Sequence, residues 1–168
     1  MSGTITIDNF QWPTTIALGG AYTPNDKVML AADLKMLQWS EVMEDFSMTF
    51  EPDADAMDGE SADITLYQDW DDQLVISLGG AYKLNPKLTV RGGANLSSNP
   101  VPDKYVHPLF PATIENHYTA GVGYDVTSEG SVNFSLTHAP KVSVTNSKTQ
   151  TDIDHAQTNW QLMYSQRF

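Results

Sequence analysis

The stretch LVISLGGAYKLNPKLTVRGGANL, residues 74–96, decides the fold. Apolar side chains occupy every second position on both sides of a short polar sequence that contains Asn85 and Pro86. Because strand side chains point alternately to opposite faces, this period of two with a central turn predicts a β-hairpin. The pentapeptide LGGAY of this stretch also occurs at residues 18–22, and AGVGY at residues 120–124 is a variant of it.

The same alternation recurs along most of the chain and predicts seven strands of about 9–12 residues each. Short turns rich in Asn, Asp, Pro, Ser and Gly join strands 1 and 2, 3 and 4, and 5 and 6. The polar stretches 42–72, 97–115 and 141–158 separate the other pairs. Short turns at one end and long loops at the other are typical of an antiparallel up-and-down transmembrane β-barrel. A soluble β-sandwich, the main alternative, offers no reason for this asymmetry.

Aromatic residues end the apolar phase of four strands at the short-turn end: Tyr22, Tyr82, Tyr124 and Phe168. We expect these rings to form a girdle at the membrane interface, where their apolar bodies meet hydrocarbon and their polar edges meet headgroups. The girdle fixes which phase faces lipid. The residues expected to face lipid are Leu30, Leu34, Ile76, Val90, Val122 and Phe134.

Negative charge is concentrated in one segment of the chain. Of the 21 acidic residues, twelve lie within residues 36–82, where there is no Lys or Arg, and the other nine balance the nine basic residues elsewhere. We therefore expect residues 41–72 to form a solvated extracellular loop or strand extension, opposite the turns at Asn25, Asn85 and Ser128. The lack of a basic stripe disfavours nucleic-acid binding.

Targeting and membrane signals of the helical kind are not evident. The opening sequence MSGTITIDNF does not have the pattern of a secretory signal, and no apolar run reaches the ~18–20 residues of a membrane helix. The chain contains no cysteine, so disulfide and thiol chemistry are excluded.

Three segments resemble the FadL-type outer-membrane transporters of long-chain fatty acids and other hydrophobic compounds. They are PTTIALGGAYTPNDKVMLAADLKMLQWSEV (13–42), LVISLGGAYKLNPKLTVRGGANLSSNPVPD (74–103) and HPLFPATIENHYTAGVGYDV (107–126). The NPVPD loop after an Arg-bearing strand is the most specific piece, and the last strand with its terminal aromatic residue adds to the resemblance.

The resemblance implies a fourteen-stranded barrel plugged by an N-terminal hatch. Residues 1–168 would then be the C-terminal half, a partial outer-membrane β-barrel without hatch or signal peptide. The implied function is passive transport of long-chain fatty acids or other hydrophobic small molecules, with no cofactor. The implied partners are membrane lipid, lipopolysaccharide, a hydrophobic ligand, and either the missing N-terminal half or a second copy. A non-functional fragment and a soluble binding module remain alternatives.

The polar phase of the strands is expected to face the barrel lumen and to supply ligand contacts. Arg91 is the first candidate, because a guanidinium can hold a carboxylate through two hydrogen bonds, and Lys35 is the second. Alternatively, both cations pair with Asp33, Asp125 or another acid of a neighbouring strand. Trp39 either lines a hydrophobic path or belongs to the rim. The remaining candidates are Asn95, Ser77, Thr119 and Asn133.

Neither catalysis nor metal binding is expected from the sequence. The four histidines lack the spacing of metal ligands, and no serine lies in a G-x-S-x-G motif. The acidic run DADAMDGE, residues 53–60, departs from the EF-hand pattern at Met57 and Asp58. We therefore expect a protein that is not an enzyme and holds no metal.

Overall fold

The computed structural model describes residues 2–53, 60–108 and 111–167, and these form two antiparallel sheets. Within these residues the only helical element is the 3-10 turn Trp39–Glu41, and no helix is long and apolar enough to cross a membrane. The strands are β1 (Gly3–Asp8), β2 (Thr15–Asn25), β3 (Val28–Leu37), β4 (Asp45–Pro52), β5 (Ala62–Tyr67), β6 (Gln73–Asn85), β7 (Leu88–Ser97), β8 (Asn116–Asp125), β9 (Gly130–Asn146) and β10 (Thr151–Gln166).

The large sheet contains the seven predicted strands, in the order β10-β9-β8-β7-β6-β3-β2. All neighbours in it are antiparallel. A β-sandwich would divide these strands between two stacked sheets, whereas here they form one continuous wall. The prediction of an up-and-down antiparallel barrel segment is confirmed.

Side-chain hydrogen bonds close the tight turns at one end of this wall. The Asn25 side chain accepts hydrogen bonds from the backbone N–H groups of Lys27 and Val28, at 2.9 and 3.1 Å. Asn85 does the same in the second hairpin, accepting from the N–H groups of Lys87 and Leu88 at 2.9 and 3.0 Å. These bonds explain why both predicted turns carry Asn at the same place.

One face of the large sheet is apolar. Paired residues on adjacent antiparallel strands project from the same side of a sheet. Val122 pairs with both Val90 and Phe134, and Leu34 pairs with Ile76. Apolar residues therefore continue across strands in rows, which makes this face the expected lipid-facing side.

The opposite face is polar or built from small residues. Ser77 pairs with both Asp33 and Asn95, and Arg91 pairs with Gly121. The positions expected to face the lumen thus share one side of the sheet. The two predicted sets lie on opposite faces, as the alternation required.

The three described tyrosines of the proposed girdle follow an oblique line across the apolar face. Relative to the row of Tyr124, Tyr82 is displaced by two residues along its strand, and Tyr22 is displaced by two more. Tyr164, which was not among the predicted rings, shares the row of Tyr124 through Val132 and extends the girdle onto β10. Because barrel strands tilt, residues at equal height are offset in register from strand to strand. Phe168, the fourth predicted ring, lies outside the described residues.

The prediction of a long loop over residues 141–158 is wrong. β9 and β10 contain 17 and 16 residues, and a tight turn joins them. In that turn the Asn146 side chain accepts hydrogen bonds from the N–H groups of Lys148 and Thr149, at 2.8 and 2.9 Å. The two strands therefore extend past the others, at the end opposite the Asn25 and Asn85 turns.

A β-bulge hid these strand extensions from the sequence pattern. His155 pairs with Val142, but Gln157 pairs with Ala139, so β9 contains one extra residue between the two pairs. An extra residue reverses the alternation of side chains along the bulged strand. The period of two therefore breaks near Pro140, where the sequence was interpreted as a loop.

The small sheet, in the order β1-β4-β5, was not predicted as a separate unit. Its strands β4 and β5 belong to the acidic segment 41–72, which lies between the end of β3 and the start of β6, opposite the tight turns as predicted. Part of this segment is thus a hairpin and not a solvated loop.

On the polar face of the small sheet, the Thr49 hydroxyl lies 3.0 Å from the carboxylates of both Asp8 and Asp63. Most of the DADAMDGE run, residues 54–59, lies outside the described residues.

We predict that Leu136→Arg destabilises the protein in lipid vesicles by about 2–4 kcal/mol, because the charge enters the hydrocarbon layer. Leu136 pairs with Trp160, four residues from Tyr164 along β10. That distance places it roughly 10 Å from the girdle at ~3.3 Å per residue and a ~40° tilt. The measurement is urea-dependent folding into vesicles.

Thr137→Arg is the matched control, because Thr137 is the next residue and lies on the polar face. This substitution should reduce the free energy of folding by less than about 1 kcal/mol, since a charge in the lumen remains hydrated. Equal losses for both variants would show that the two faces are assigned incorrectly.

Candidate functional site

A cavity of about 750 Å³ lies at the end of the large sheet opposite the Asn25 and Asn85 turns. We call it the aromatic cavity. Segments far apart in the chain form it: the small sheet, the approach to β2, the turn after β3, the segment before β6, the loop after β7, and β10. Its aromatic residues are Phe10, Trp12, Trp39, Phe46 and Trp70.

The five rings contact one another in a continuous chain. The ring centroids of Trp39 and Trp70 lie 5.1 Å apart, those of Trp12 and Trp39 lie 6.1 Å apart, and Phe10 lies 5.6 Å from Trp12 and 6.0 Å from Phe46. Three of the four contacts are edge-to-face, the arrangement that the charge distribution of aromatic rings favours. The chain of rings fixes the shape of the wall before any ligand binds.

Glutamines satisfy the polar edges of two of these tryptophans. The Trp70 indole donates to Gln68 Oε1 at 3.0 Å, and the Trp39 indole donates to Gln73 Oε1 at 3.4 Å. Gln73 is held in turn by donating to the Ser98 carbonyl at 2.9 Å. Since their N–H groups are occupied within the protein, these rings present mainly apolar surface to the cavity.

The loop between β7 and β8 forms one side of the cavity and carries the NPVPD sequence. The Asn99 side chain accepts a hydrogen bond from the Val101 N–H at 3.0 Å, and the Pro100 carbonyl accepts one from Asp71 N–H at 2.8 Å. Val101 and Val106 of this loop are buried together with Ile153 of β10. This small core holds Pro100 in the cavity wall.

An ion pair links this loop to the segment before β6. Lys104 Nζ lies 2.9 Å from Asp69 Oδ2, and this hydrogen bond raises the pKa of Lys104 above its ordinary value. Both side chains are exposed, so the pair fixes geometry more than it adds stability.

The cavity has little charge. Among its described lining residues there is no Asp, Glu, Lys or Arg, and the polar members are Gln68, Gln73, His155 and Gln157. His155 Nδ1 lies 2.8 Å from the Pro111 carbonyl, which can only accept, so this nitrogen carries the proton. His155 and Gln157 lie two residues apart on β10, so they share a face, and both line the cavity. The lining suits an apolar molecule.

The residues that were predicted as ligand contacts lie in different places in the structure. Trp39 lies in the aromatic cavity, at the end of the sheet opposite the tight turns. Arg91, Thr119 and Asn133 line a groove of about 550 Å³ on the polar face, between the cavity and the tight turns. The guanidinium of Arg91 donates to Asn133 Oδ1 at 3.1 Å.

The other candidates lie apart from both places. The Asn95 amide on β7 donates a hydrogen bond to the Ser77 hydroxyl on the neighbouring strand β6, at 2.9 Å. Lys35 lies on the same face, paired with Ala17 and Val75. Over the described residues neither Lys35 nor Arg91 forms an ion pair, so pairing with Asp33 or Asp125 is not what holds them.

Sequence reasoning missed most of the aromatic cavity, although a signal for it was present. Trp12 precedes β2, Trp39 follows β3 and Trp70 precedes β6. In antiparallel strands these three positions meet at one end of the sheet. Three tryptophans just outside consecutive strand ends could therefore have indicated a shared site.

Taken together, the single antiparallel wall, its apolar face, the tight turns and the loop-built cavity define a segment of an outer-membrane β-barrel. In such barrels the short turns are periplasmic and the longer loops extracellular. The chain belongs to the family of outer membrane protein transport proteins (OMPP1/FadL/TodX), whose model matches residues 1–166.

Known relatives agree with this assignment. The chain is 32% identical over 97 residues to alkane uptake protein A of Marinobacter nauticus. These residues make up 57% of this chain and 20% of that protein. Its fold matches the P. putida toluene transporter TodX with a TM-score of 0.82 and 29% identity, over 99% of this chain and 37% of that one.

A second solved transporter gives a similar result. The Ralstonia pickettii toluene transporter TbuX matches with a TM-score of 0.75 and 26% identity, over 99% of this chain and 36% of that one. The chain therefore spans little more than a third of the length of these transporters. Membership of this family localises it to the outer membrane and leaves the soluble β-sandwich without support.

We predict that Trp70→Phe destabilises the protein by about 1–3 kcal/mol, because it leaves the Oε1 of Gln68 without its hydrogen bond. Gln68 is only 5% exposed, so water cannot easily replace the lost donor. The measurement is urea unfolding followed by tryptophan fluorescence.

Trp12→Phe is the control, since Trp12 is 77% exposed. Its cost should be within about 0.5 kcal/mol, as for other surface substitutions. If the two variants are equally stable, the Gln68–Trp70 bond does not hold the cavity wall.

Proposed function

We propose that this chain forms part of an outer-membrane channel for the uptake of hydrophobic small molecules, and that the aromatic cavity captures them on the extracellular side. The observation that carries the proposal is a cavity built from five contacting aromatic rings without an acidic, lysine or arginine side chain in its described lining. Pockets of this size, mostly apolar with a few polar groups, are typical of small-molecule sites. The toluene and alkane transporters among its relatives support the same class of cargo.

Passive diffusion fits the chemistry of the cavity. Its contacts with a ligand would be apolar and aromatic, without a charge that must be neutralised before release. Conduction requires binding that is favourable enough for entry and weak enough for exit. A cavity of this kind meets both conditions, and the transfer involves no covalent step.

The cargo we propose includes uncharged hydrocarbons and the apolar tails of long-chain fatty acids. Burying a tail against the rings gains about 0.8 kcal/mol per methylene group. The carboxylate of a fatty acid would gain nothing from the described lining of the cavity and would need a partner elsewhere.

Barrel closure requires more strands than the described part of the chain supplies. In the large sheet of the described residues, β2 and β10 each pair with one neighbouring strand, so two edges of the sheet remain open. Unpaired backbone groups in lipid cost several kcal/mol each. We propose that the N-terminal half of a larger barrel pairs with both edges; a second copy of the chain is the alternative partner, and a fragment without function would remain unclosed.

We predict that Trp39→Ala weakens toluene binding about 2–10-fold, because the removed ring contacts contribute about 0.5–1.5 kcal/mol. The assay uses the protein extracted from the outer membrane in a non-ionic detergent, with quenching of tryptophan fluorescence as the signal.

Trp160→Ala is the matched control, because Trp160 is 71% exposed on the apolar outer face. It should leave toluene affinity within about twofold of the unsubstituted protein, as expected for a distant surface change. Equal weakening by both substitutions, or no saturable binding at all, would contradict capture in the aromatic cavity.

A further inference from the structure

Gln68 is a buried side chain whose hydrogen-bond donor is not used within the protein. It is 5% exposed and lines the aromatic cavity. Its Oε1 accepts from the Trp70 indole at 3.0 Å, and because an indole nitrogen can only donate, this bond identifies the other end of the amide as nitrogen. In the described part of the chain, no hydrogen bond uses this Nε2 atom. The amide N–H groups of Gln68 therefore remain available to another partner.

These free N–H groups open onto the cavity. Among the described residues, Thr113 Oγ1 is the only fully enclosed side-chain nitrogen or oxygen atom without a hydrogen-bond partner. Gln68 Nε2 thus keeps accessible surface although the residue as a whole is buried, and the aromatic cavity is the space that Gln68 lines. A molecule that fills the cavity comes into contact with this donor.

The backbone holds Gln68 in this position before any ligand binds. The N–H groups of Gln68 and Asp69 both donate to the Glu44 carbonyl at 2.9 Å, and the Trp70 N–H donates to the Met43 carbonyl at 3.1 Å. Asp69 has a φ of 47°, in the left-handed region that residues other than glycine adopt only when the surrounding structure holds them there. The orientation of the amide is therefore fixed by both its backbone and its bond to Trp70.

His155 supplies a hydrogen-bond acceptor from a different part of the cavity lining. Its Nδ1 donates to the Pro111 carbonyl at 2.8 Å, so in the neutral imidazole Nε2 carries no proton and can accept. Within the described ranges, no residue donates to this Nε2 atom. His155 lies on β10 and Gln68 directly follows β5, so two separate elements bring an unused acceptor and an unused donor to one cavity.

These two groups determine which ligand chemistry suits the cavity best. A hydrocarbon would leave both of them without a hydrogen bond, and a buried polar group without a partner costs free energy. A carboxylate has no proton to donate to the imidazole, and no Lys or Arg of the described lining balances its charge. A hydroxyl group both accepts and donates, so it can satisfy Gln68 and His155 without introducing a charge.

We propose that Gln68 and His155 bind the hydroxyl group of phenols and related hydroxylated aromatic compounds, while the rings of the aromatic cavity hold the apolar body. The hydroxyl oxygen accepts from Gln68 Nε2, and the hydroxyl proton is donated to His155 Nε2. A site that hydrogen-bonds a hydroxyl group discriminates against the analogue that lacks it, because its own polar groups are then unpaired. This inference rests on the proposed capture function and gives it a preferred class of cargo.

The test compares 4-methylphenol with p-xylene, which have nearly the same shape and differ by a hydroxyl in place of a methyl group. Affinities are measured by calorimetry on the protein extracted from the outer membrane, at one concentration of a non-ionic detergent. Folding of each variant is verified by heat-dependent mobility in gels. The quantity compared between variants is the hydroxyl preference, the dissociation constant of p-xylene divided by that of 4-methylphenol.

His155→Phe removes the acceptor and keeps a ring of similar shape. The hydroxyl preference should fall about 2–10-fold, the range for the loss of one uncharged hydrogen bond, while p-xylene affinity does not fall. His155→Gln should recover most of the preference, because its Oε1 offers an acceptor near the place of Nε2. If His155 only holds Pro111, both variants should weaken both ligands equally, since neither keeps an N–H at the place of Nδ1.

Gln68→Met removes the donor and should lower the hydroxyl preference about 2–10-fold as well. Trp70→Phe is the matched control, because it breaks the same Gln68–Trp70 bond but keeps the amide. The smaller ring should weaken both ligands by a similar factor, so the preference should stay within about twofold of the unsubstituted protein. An equal loss of preference in these two variants would show that the bond to Trp70, and not the free donor, is responsible.

The outcomes separate this site from the proposed capture function. Saturable p-xylene binding with a hydroxyl preference that survives either Gln68→Met or His155→Phe would overturn the hydroxyl site and leave capture of hydrocarbons intact. A folded protein that binds neither compound would refute both proposals.

Discussion

The requirement that every backbone N–H and C=O be hydrogen-bonded within the hydrocarbon layer governs the rest of this structure. Water is absent there, so each strand must pair along its whole membrane-spanning length. In the described wall the five inner strands satisfy this condition by pairing on both sides, whereas β2 and β10 each keep one open edge. Asn25 and Asn85 close hairpins of the required register. Pairing in turn fixes which residues share a face. Apolar rows such as Val90–Val122–Phe134 follow from that register.

Function is divided between the ends and the wall because the two places obey different physical constraints. Beyond the membrane the chain can leave the regular ladder, and there the loops assemble rings from distant segments around the aromatic cavity. Inside the wall, side chains must fit the strand spacing, so a polar contact arises only between residues in suitable register. The Arg91–Asn133 bond is one example, spanning 42 positions in sequence and passing over Gly123. The cavity offers apolar contact, and the wall offers a fixed charge.

The sequence pattern predicted the wall well and the site only in part. Alternation located seven strands and both faces because each strand experiences lipid on one side and the lumen on the other along its length. The pattern failed at β9, where one extra residue reverses the alternation near Pro140 and a regular hairpin was interpreted as a loop. It also missed β1, whose pairing with β4 joins residues 39 to 49 positions apart. Of the predicted ligand contacts, Trp39 lies in the cavity and Arg91 in the groove, whereas Lys35 contacts neither.

The sequence by itself determined the class of fold, the turns, the inward and outward faces and the resemblance to FadL-type transporters. These properties are local or periodic, since each depends on neighbouring residues and on a repeating environment. The tertiary structure alone decided that Trp12, Trp39 and Trp70 meet, that glutamines occupy two of their indole N–H groups, and that Asn133 rather than an acid holds Arg91. Such contacts depend on strand register and on loop paths. A shift of one residue in the register of a strand would turn its side chains to the opposite face.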